Sequence, residues 1–187
     1  IIESPTFEVK IVGGQNVVGL IKTEIVDGEL KISNHNKCNL VRSYKKKIHV
    51  YIKMPKVKWL RNHGLGNIWC DNTLTTDTIY YQITNSGDIH LNVNNLCVTG
   101  GIHGMGDIYL EGATLYHNSN INGEGFLHGE NCKTDVSDLV MITSGVTKVD
   151  ARVKLIVIIE GSGDVYYTGN PGVIQQQVSG KGKLIAY

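Results

Sequence analysis

Apolar and polar residues alternate around a series of evenly spaced glycines in the last two thirds of the chain. The stretch GSGDVYYTGNP at 161–171 shows the pattern, and NSGDI, GMGDI and GLGNI resemble it upstream. The glycines are Gly66, Gly87, Gly106, Gly125, Gly145, Gly163 and Gly182. They are separated by 21, 19, 19, 20, 18 and 19 residues, which indicates seven copies of one structural unit.

Mostly apolar residues stand at even offsets from each glycine. Two residues after it come Ile68, Ile89, Ile108, Leu127, Thr147, Val165 and Leu184. Four residues before it, from the second unit on, come Ile83, Ile102, Ile121, Met141, Ile159 and Val178. A period of two predicts strands with one buried face, and no unit has helical spacing.

A unit of about 19 residues is too short to bury its own apolar face, but stacked units bury it together. The pattern therefore predicts an all-β fold, a parallel β-solenoid with rungs of about 19–20 residues. We expect the glycines to supply positive φ at the corners, and Asp or Asn to accept hydrogen bonds from the amides of their own turns. The residues expected to be buried and stacked are Ile83, Ile89, Ile102, Ile108 and Ile159, whereas Asp107 and Tyr109 are expected to face outward.

Residues 1–60 do not follow the repeat but also have strand character. The candidate strands are FEVKIV (7–12), LIKTEIV (20–26), ELKIS (29–33) and KIHVYIKM (47–54). Asp27-Gly28 between two of them is a hairpin signal. We expect 1–60 to form an N-terminal β-rich cap or degenerate early rungs, 61–187 to form the solenoid repeats, and both to belong to one continuous domain.

Composition limits the classes of protein to which this chain can belong. The chain has 187 residues, enough for one domain with a sizeable core, and 22 glycines against 3 prolines favour tight turns over linkers. The sequence contains no apolar run of 18 residues, so no transmembrane segment is predicted. The first residue is Ile rather than Met, and we expect that a targeting segment has been removed.

Charge is unevenly distributed along the chain, although the net charge is only +1. Between Leu30 and Cys70 there is no acid, and ten basic residues lie there: Lys31, Lys37, Arg42, Lys45, Lys46, Lys47, Lys53, Lys56, Lys58 and Arg61. This segment is typical of a solvated surface, or else of a site for an acidic glycan. Nucleic acid is not an expected partner, because no nucleic-acid motif is present.

Four cysteines, Cys38, Cys70, Cys97 and Cys132, lack the spacing of a zinc site. One disulfide and buried free thiols both remain open from the sequence.

The C-terminal motif GSGDVYYTGNPGV followed by VSGKGKL resembles that of the putative auto-transporter adhesin, head GIN domain family. FEVKIVGG and DGELKIS near the start are similar to that family's N-terminal pattern, so the resemblance covers essentially the whole chain. Two turns depart from it, where Phe126 and Val146 stand in place of the acid. The resemblance implies a right-handed parallel β-helix, an exported location in Bacteroidetes-type bacteria and an adhesive role.

Odd offsets from the glycines should face solvent if even offsets face the core. Three residues after the glycines, five of seven positions are aromatic or imidazole: Trp69, His90, Tyr109, His128 and Tyr166. Acids and amides flank them on either side. Such a column can simply stabilise the sheet through stacked neighbours. It can also bind a polysaccharide, and these five residues are our candidate ligand-binding residues.

Metal binding and catalysis are weaker hypotheses. Calcium-binding β-rolls repeat their acids every nine residues, half the period found here, so no metal or other cofactor is expected. Carboxylate pairs such as Asp88 with Asp107, or Glu111 with Glu130, could lie close enough for glycoside hydrolysis. Stacked acids, however, follow from any repeated turn, and no catalytic residue is assigned.

The sequence thus predicts a non-enzymatic, exported module for surface binding or adhesion, located at the cell surface, at the outer membrane or in the periplasm. Its expected partner is a surface polysaccharide or an anionic envelope glycan. The alternatives are a structural cell-envelope domain without a ligand and, less favoured, a polysaccharide-processing enzyme.

Overall fold

The computed structural model describes residues 1–35 and 47–187. Within them the chain is nearly all β, with one four-residue helix, α1 (Gln15–Val18). The N-terminal strands are β1 (Ile2–Glu3), β2 (Glu8–Val12), β3 (Ile21–Val26), β4 (Glu29–Asn34) and β5 (His49–Met54). The remaining strands are β6 (Trp59–Asn62), β7 (Ile68–Trp69), β8 (Thr78–Ile83), β9 (Ile89–Ile102), β10 (Ile108–Ile121), β11 (Leu127–Met141), β12 (Thr147–Ile159), β13 (Val165–Thr168), β14 (Val173–Val178) and β15 (Leu184–Ala186).

The strands from β6 onward form one parallel sheet that coils into a β-solenoid of about seven turns, which confirms the predicted fold. Each strand pairs with its equivalent one rung away. Ile108 of β10 lies opposite Ile89 of β9 on one side and Leu127 of β11 on the other. Because the repeat is 19 residues here, chemically equivalent side chains are brought into columns along the axis.

The core consists of the even-offset columns. Ile89 and Ile108 are 0% exposed, and so are Ile83, Ile102 and Ile159, which confirms the predicted interior. At the last rung the same columns become accessible: Val178 of β14 is 46% exposed. Val178 pairs with Ile159 on one side, and within the described residues no further rung covers its other side.

The corner glycines have a different role from the predicted one. Among the described residues, the glycines with positive φ are Gly28, Gly112 and Gly169, and none of them is a corner glycine. The corners instead require close approach between rungs. A Cβ at Gly106 or Gly125 would lie within 3.0 Å of the carbonyl oxygen of the corner glycine one rung earlier. A side chain is therefore excluded by the backbone of the adjacent rung, not by the local dihedral angles.

The N-terminal strands lie outside the solenoid sheet. β1, β5 and β2 form a three-stranded sheet, and β3 pairs with β4 in an antiparallel hairpin. The hairpin turns at Asp27 and Gly28, whose φ angles of 53° and 79° are the left-handed values that a two-residue turn requires. The four predicted strand segments are confirmed as strands. The division into a cap of 1–60 and repeats of 61–187 stays a prediction.

One polar chain interrupts the apolar core. The Tyr81 hydroxyl and the Ser119 hydroxyl share a short hydrogen bond, and the Ser119 Oγ lies 2.8 Å from His117 Nε2. Gly100 makes this possible, since a Cβ there would overlap the Tyr81 ring. His117 is fully buried, and burial lowers the pKa of the imidazole to about 4. Among the described residues its Nδ1 has no hydrogen-bond partner. The sequence analysis did not identify these residues.

Candidate functional site

The third residue after each corner glycine faces outward, because the residues on either side of it in the strand face the core. Strand pairing then places these outward residues directly above one another. Tyr109 is in register with His90 on β9 and with His128 on β11, and Trp69 of β7 is in register with His90. Trp69, His90, Tyr109 and His128 are here called the outward ladder.

The rings of the outward ladder form one continuous stack. Ring centroids are 3.4 Å apart for Trp69 and His90, 4.3 Å for His90 and Tyr109, and 4.4 Å for Tyr109 and His128. The planes are nearly parallel, with interplanar angles of 6°, 4° and 9°. The stack therefore contains one ring from each of four successive rungs and lies along the axis of the solenoid.

Tyr166, the fifth candidate residue, is separate from this stack. Lys148 stands in the same column between His128 and Tyr166 and pairs with both in the strand register. Tyr166 instead makes an edge-on contact with Tyr187, with centroids 5.9 Å apart at 86°. The structure thus brings four of the five candidate residues together and leaves the fifth two rungs away.

The stacking decides which part of each ring meets solvent. The faces of His90 and Tyr109 are covered by their neighbours in the stack, so their edges and polar atoms point outward. Trp69 stands at the end of the stack and is the most exposed ring, at 53%. A ligand of the outward ladder would therefore contact ring edges, the Tyr109 hydroxyl and the imidazole nitrogens rather than flat aromatic faces.

A column of acids and amides runs beside the outward ladder and connects successive corners. Asp88 Oδ1 accepts a hydrogen bond from the Asp107 amide at 2.9 Å, and Asp107 Oδ1 accepts one from the Phe126 amide at 2.8 Å. Asp164 accepts from the Lys183 amide in the same way, at 2.8 Å. The expectation that each acid binds the amides of its own turn is wrong, since the donor belongs to the next rung.

The second oxygen of Asp107 faces the ladder itself. Asp107 Oδ2 is 3.3 Å from His128 Nε2 and 3.5 Å from the Tyr109 hydroxyl. Asp88 Oδ2 accepts a hydrogen bond from the Asn67 side-chain amide at 3.0 Å. The described residues contain no group of three or more His, Cys, Asp or Glu side chains arranged to hold a metal ion.

Burial and the nearby carboxylates shift the pKa values of polar groups in the outward ladder. Burial raises the pKa of the Tyr109 hydroxyl, and the charges of Asp107, Asp88 and Glu130 raise it further. Burial lowers the pKa of His90, against the opposing effect of nearby Asp88, Glu111 and Asp107. The ring edges therefore lie in a region of negative potential.

Comparison with known proteins identifies the family. The model of the family described as putative auto-transporter adhesin, head GIN domain, matches residues 1–171. The chain belongs to this family. A search of curated proteins found no match.

Solved structures similar to this head GIN domain share its fold. A putative adhesin from Bacteroides fragilis has a TM-score of 0.87 at 23% identity, over 97% of this chain and 83% of that one. A protein from Parabacteroides distasonis described as a putative lipid binding protein has a TM-score of 0.75 at 18% identity, over 100% and 87% of the two chains. A putative adhesin from Parabacteroides merdae has a TM-score of 0.70 at 18% identity, over 100% and 86%.

A second aromatic pair of the head GIN domain escaped the sequence analysis. Trp59 stacks on Tyr80, with centroids 4.3 Å apart at 15°, and the Arg61 guanidinium lies 4.2 Å from the centroid of the Trp59 ring. Arg61 also forms an ion pair with Glu29 of the β3–β4 hairpin. The signal was the 21-residue separation of Trp59 and Tyr80, which equals the first rung spacing. The Arg61–Glu29 ion pair thus links the hairpin to the strand that carries Trp59.

The basic segment and the cysteines are only partly covered by the structure. Of the basic residues, Lys37, Arg42, Lys45 and Lys46 lie outside the described residues, as does Cys38. Lys53 pairs with Glu8 at 2.7 Å. Cys70, Cys97 and Cys132 are free thiols, and burial raises the pKa of Cys132 to about 12. No helix among the described residues is long and apolar enough to cross a membrane.

Proposed function

We propose that this head GIN domain is a non-enzymatic, exported surface-binding module that holds a polysaccharide along the outward ladder. The observation that supports this most directly is the stack of four rings in register with the rungs, bordered by acids and amides. The family description and two of the similar structures refer to adhesins, which agrees with surface exposure and with a role in binding.

The dimensions of the outward ladder suit a polymer rather than a single sugar. With successive centroids 3.4, 4.3 and 4.4 Å apart, the four rings span roughly 12 Å, close to three strand spacings. The ligand contacts repeat at each rung, since each rung offers one ring edge and adjacent carboxylate or amide groups. Repeated weak contacts along one chain add, so long polymers are expected to bind far better than short fragments.

Two alternatives make different predictions. In a structural cell-envelope domain, the outward ladder would only stabilise the sheet and no polymer would bind. In a polysaccharide-processing enzyme, Asp107 and His128 would be the nearest acid–base pair, at 3.3 Å, and cleavage would accompany binding.

An anionic glycan would have to bind away from the ladder, on the basic segment, where Lys53 and Arg61 already pair with acids.

The test uses immobilised bacterial and host polysaccharides and three proteins. These are the wild type, the double variant His90→Ser/Tyr109→Ser, and the control Tyr116→Ser. Tyr116 is matched to Tyr109 because it lies on the same strand, on another face, and its hydroxyl also contacts an acid, Asp138, at 3.0 Å. Retention and newly formed reducing ends are both recorded, and circular dichroism checks that each variant is folded.

Retention by wild type and Tyr116→Ser, with its loss in the double variant and no new reducing ends, is the expected result. New reducing ends that disappear in the double variant would support an enzyme instead. Failure of the wild type to retain any polymer would leave the structural alternative standing and overturn the proposed function.

A further inference from the structure

The charged residues in the two columns that flank the outward ladder are all acids. Over its four rungs, the columns on either side of the rings contain five acids, and no Lys or Arg stands in them. The acids are Asp71, Asp88, Asp107, Glu111 and Glu130. The next residue of the ring column is Lys148, whose Nζ lies 3.8 Å from Glu130 Oε1. At the other end of the ladder, Asp71 lines a surface pocket together with Lys10 and Lys53.

Some of these carboxylates have no role in holding the corners together. Asp88 and Asp107 each accept a hydrogen bond from a backbone amide of the next rung, so they are structural in part. Asp71 and Glu111 are exposed, and among the described residues neither carboxylate forms a hydrogen bond. Two exposed acids therefore remain beside the rings for a ligand.

The rings themselves restrict what these acids can recognise. Because the faces of His90 and Tyr109 are covered by their neighbours, a ligand meets a strip of polar ring edges bordered by carboxylate acceptors rather than an apolar platform. An ammonium group has three donors and a positive charge, and charge-assisted hydrogen bonds to carboxylates are about twice as strong as neutral ones. A uronate or phosphate group placed in the same strip would be repelled.

We infer that the polysaccharide held by the outward ladder bears free amino groups, as in a polymer of amino sugars that are not N-acetylated. This inference rests on the proposed function and names the substrate class of that same site. Neutral polymers then bind through hydroxyl groups alone and more weakly, and acidic polymers are excluded from the ladder.

The test compares four soluble probes of matched length by calorimetry at constant pH, low enough to keep the amines protonated. They are a β-1,4-linked glucosamine oligomer, its fully N-acetylated form, a neutral glucan and an oligogalacturonate. The glucosamine oligomer is expected to bind at least about tenfold more tightly than its N-acetylated form, a difference that corresponds to about 1.4 kcal/mol. The preference should shrink when salt is raised from about 0.01 M to 0.15 M, since exposed charges are then screened.

A pair of matched variants separates this site from general attraction to a negative protein. The double variant Asp71→Asn/Glu111→Gln neutralises the two exposed acids beside the rings. The control Asp77→Asn/Asp135→Asn neutralises two exposed acids away from the outward ladder and changes the net charge equally. The first variant should lose most of the preference for the amino form and keep its affinity for the neutral glucan, whereas the control should behave as wild type.

The possible outcomes distinguish the two proposals. Equal binding of the glucosamine oligomer and its N-acetylated form would overturn the amine inference while leaving polysaccharide binding intact. A preference lost equally in both double variants would also overturn it, because the attraction would then come from net charge. Absence of binding to all four probes and to every polymer of the preceding section would overturn both proposals.

Discussion

The inward and outward faces of the same strands have the same stacking geometry but contribute differently to the stability of the fold. Ile108 and Tyr109 are neighbours on β10, and each stacks on equivalent residues of β9 and β11 with the same spacing. Ile108 faces inward and is fully buried, so removing its apolar surface from water stabilises the fold. Tyr109 faces outward and contributes only ring contacts, each of which stabilises the sheet by about 0.2–1 kcal/mol. Periodicity alone therefore does not measure how far a column stabilises the fold.

The largest expected effect is that of a charge on the inward face. Ile108→Asp should abolish folding, because an unpaired buried carboxylate is very costly. The matched variant Tyr109→Asp places the same charge one residue away, on the outward face, and should remain folded. Circular dichroism and thermal melting compare the two, and a folded Ile108→Asp protein would contradict the assigned register.

The second prediction concerns the polar interruption of the inward face at His117. Its pKa is about 4 in the folded protein and about 6.5 when unfolded, so below pH 6.5 the unfolded state binds more protons. The free energy of unfolding should fall by up to about 3 kcal/mol between pH 6.5 and 4, and change little through this group below that.

Denaturant titrations across this pH range test the point with His117→Leu, which removes the titrating group and its unpartnered Nδ1. The variant should lose less stability on acidification than the wild type does. Parallel loss in the two proteins would show that His117 is not the cause.

The third prediction separates the two possible reasons for a corner glycine. Gly106→Ala should destabilise by about 1–3 kcal/mol, because the new Cβ overlaps the Gly87 carbonyl of the adjacent rung. Gly66→Ala is the control, since nothing lies within 4 Å of a Cβ built at Gly66. Thermal melting of both variants is the measurement. Equal destabilisation would indicate that local backbone conformation, rather than contact between rungs, selects glycine.

The smallest effect is expected on the outward face. Tyr109→Ser removes two ring contacts and should reduce stability by about 0.5–2 kcal/mol. Tyr109→Phe retains the ring and loses only the hydroxyl near Asp107, so its stability should stay close to that of the wild type. Chemical denaturation checks both variants. A loss as large as that of a core residue would mean that the outward ladder is part of the core in energetic terms.

The sequence by itself determined the fold class, the length of the rungs and the two faces of each strand. Ile89 and His90 illustrate why: with a period of two and a repeat near 19 residues, their separate columns follow from counting along the chain. The hairpin at Asp27-Gly28 was equally local, since its turn depends on the backbone preferences of two residues.

Only the tertiary structure decided how neighbouring rungs contact one another. Three contacts show this: Tyr81 reaches Ser119 over Gly100, Asp88 accepts from the Asp107 amide, and a corner Cβ meets a carbonyl. All three are contacts between rungs, along the axis. They depend on the lateral offset and ring orientation between strands, which a repeat length does not specify. The same holds for the outward ladder, whose ring faces are covered because the rungs stack with the ring planes nearly parallel.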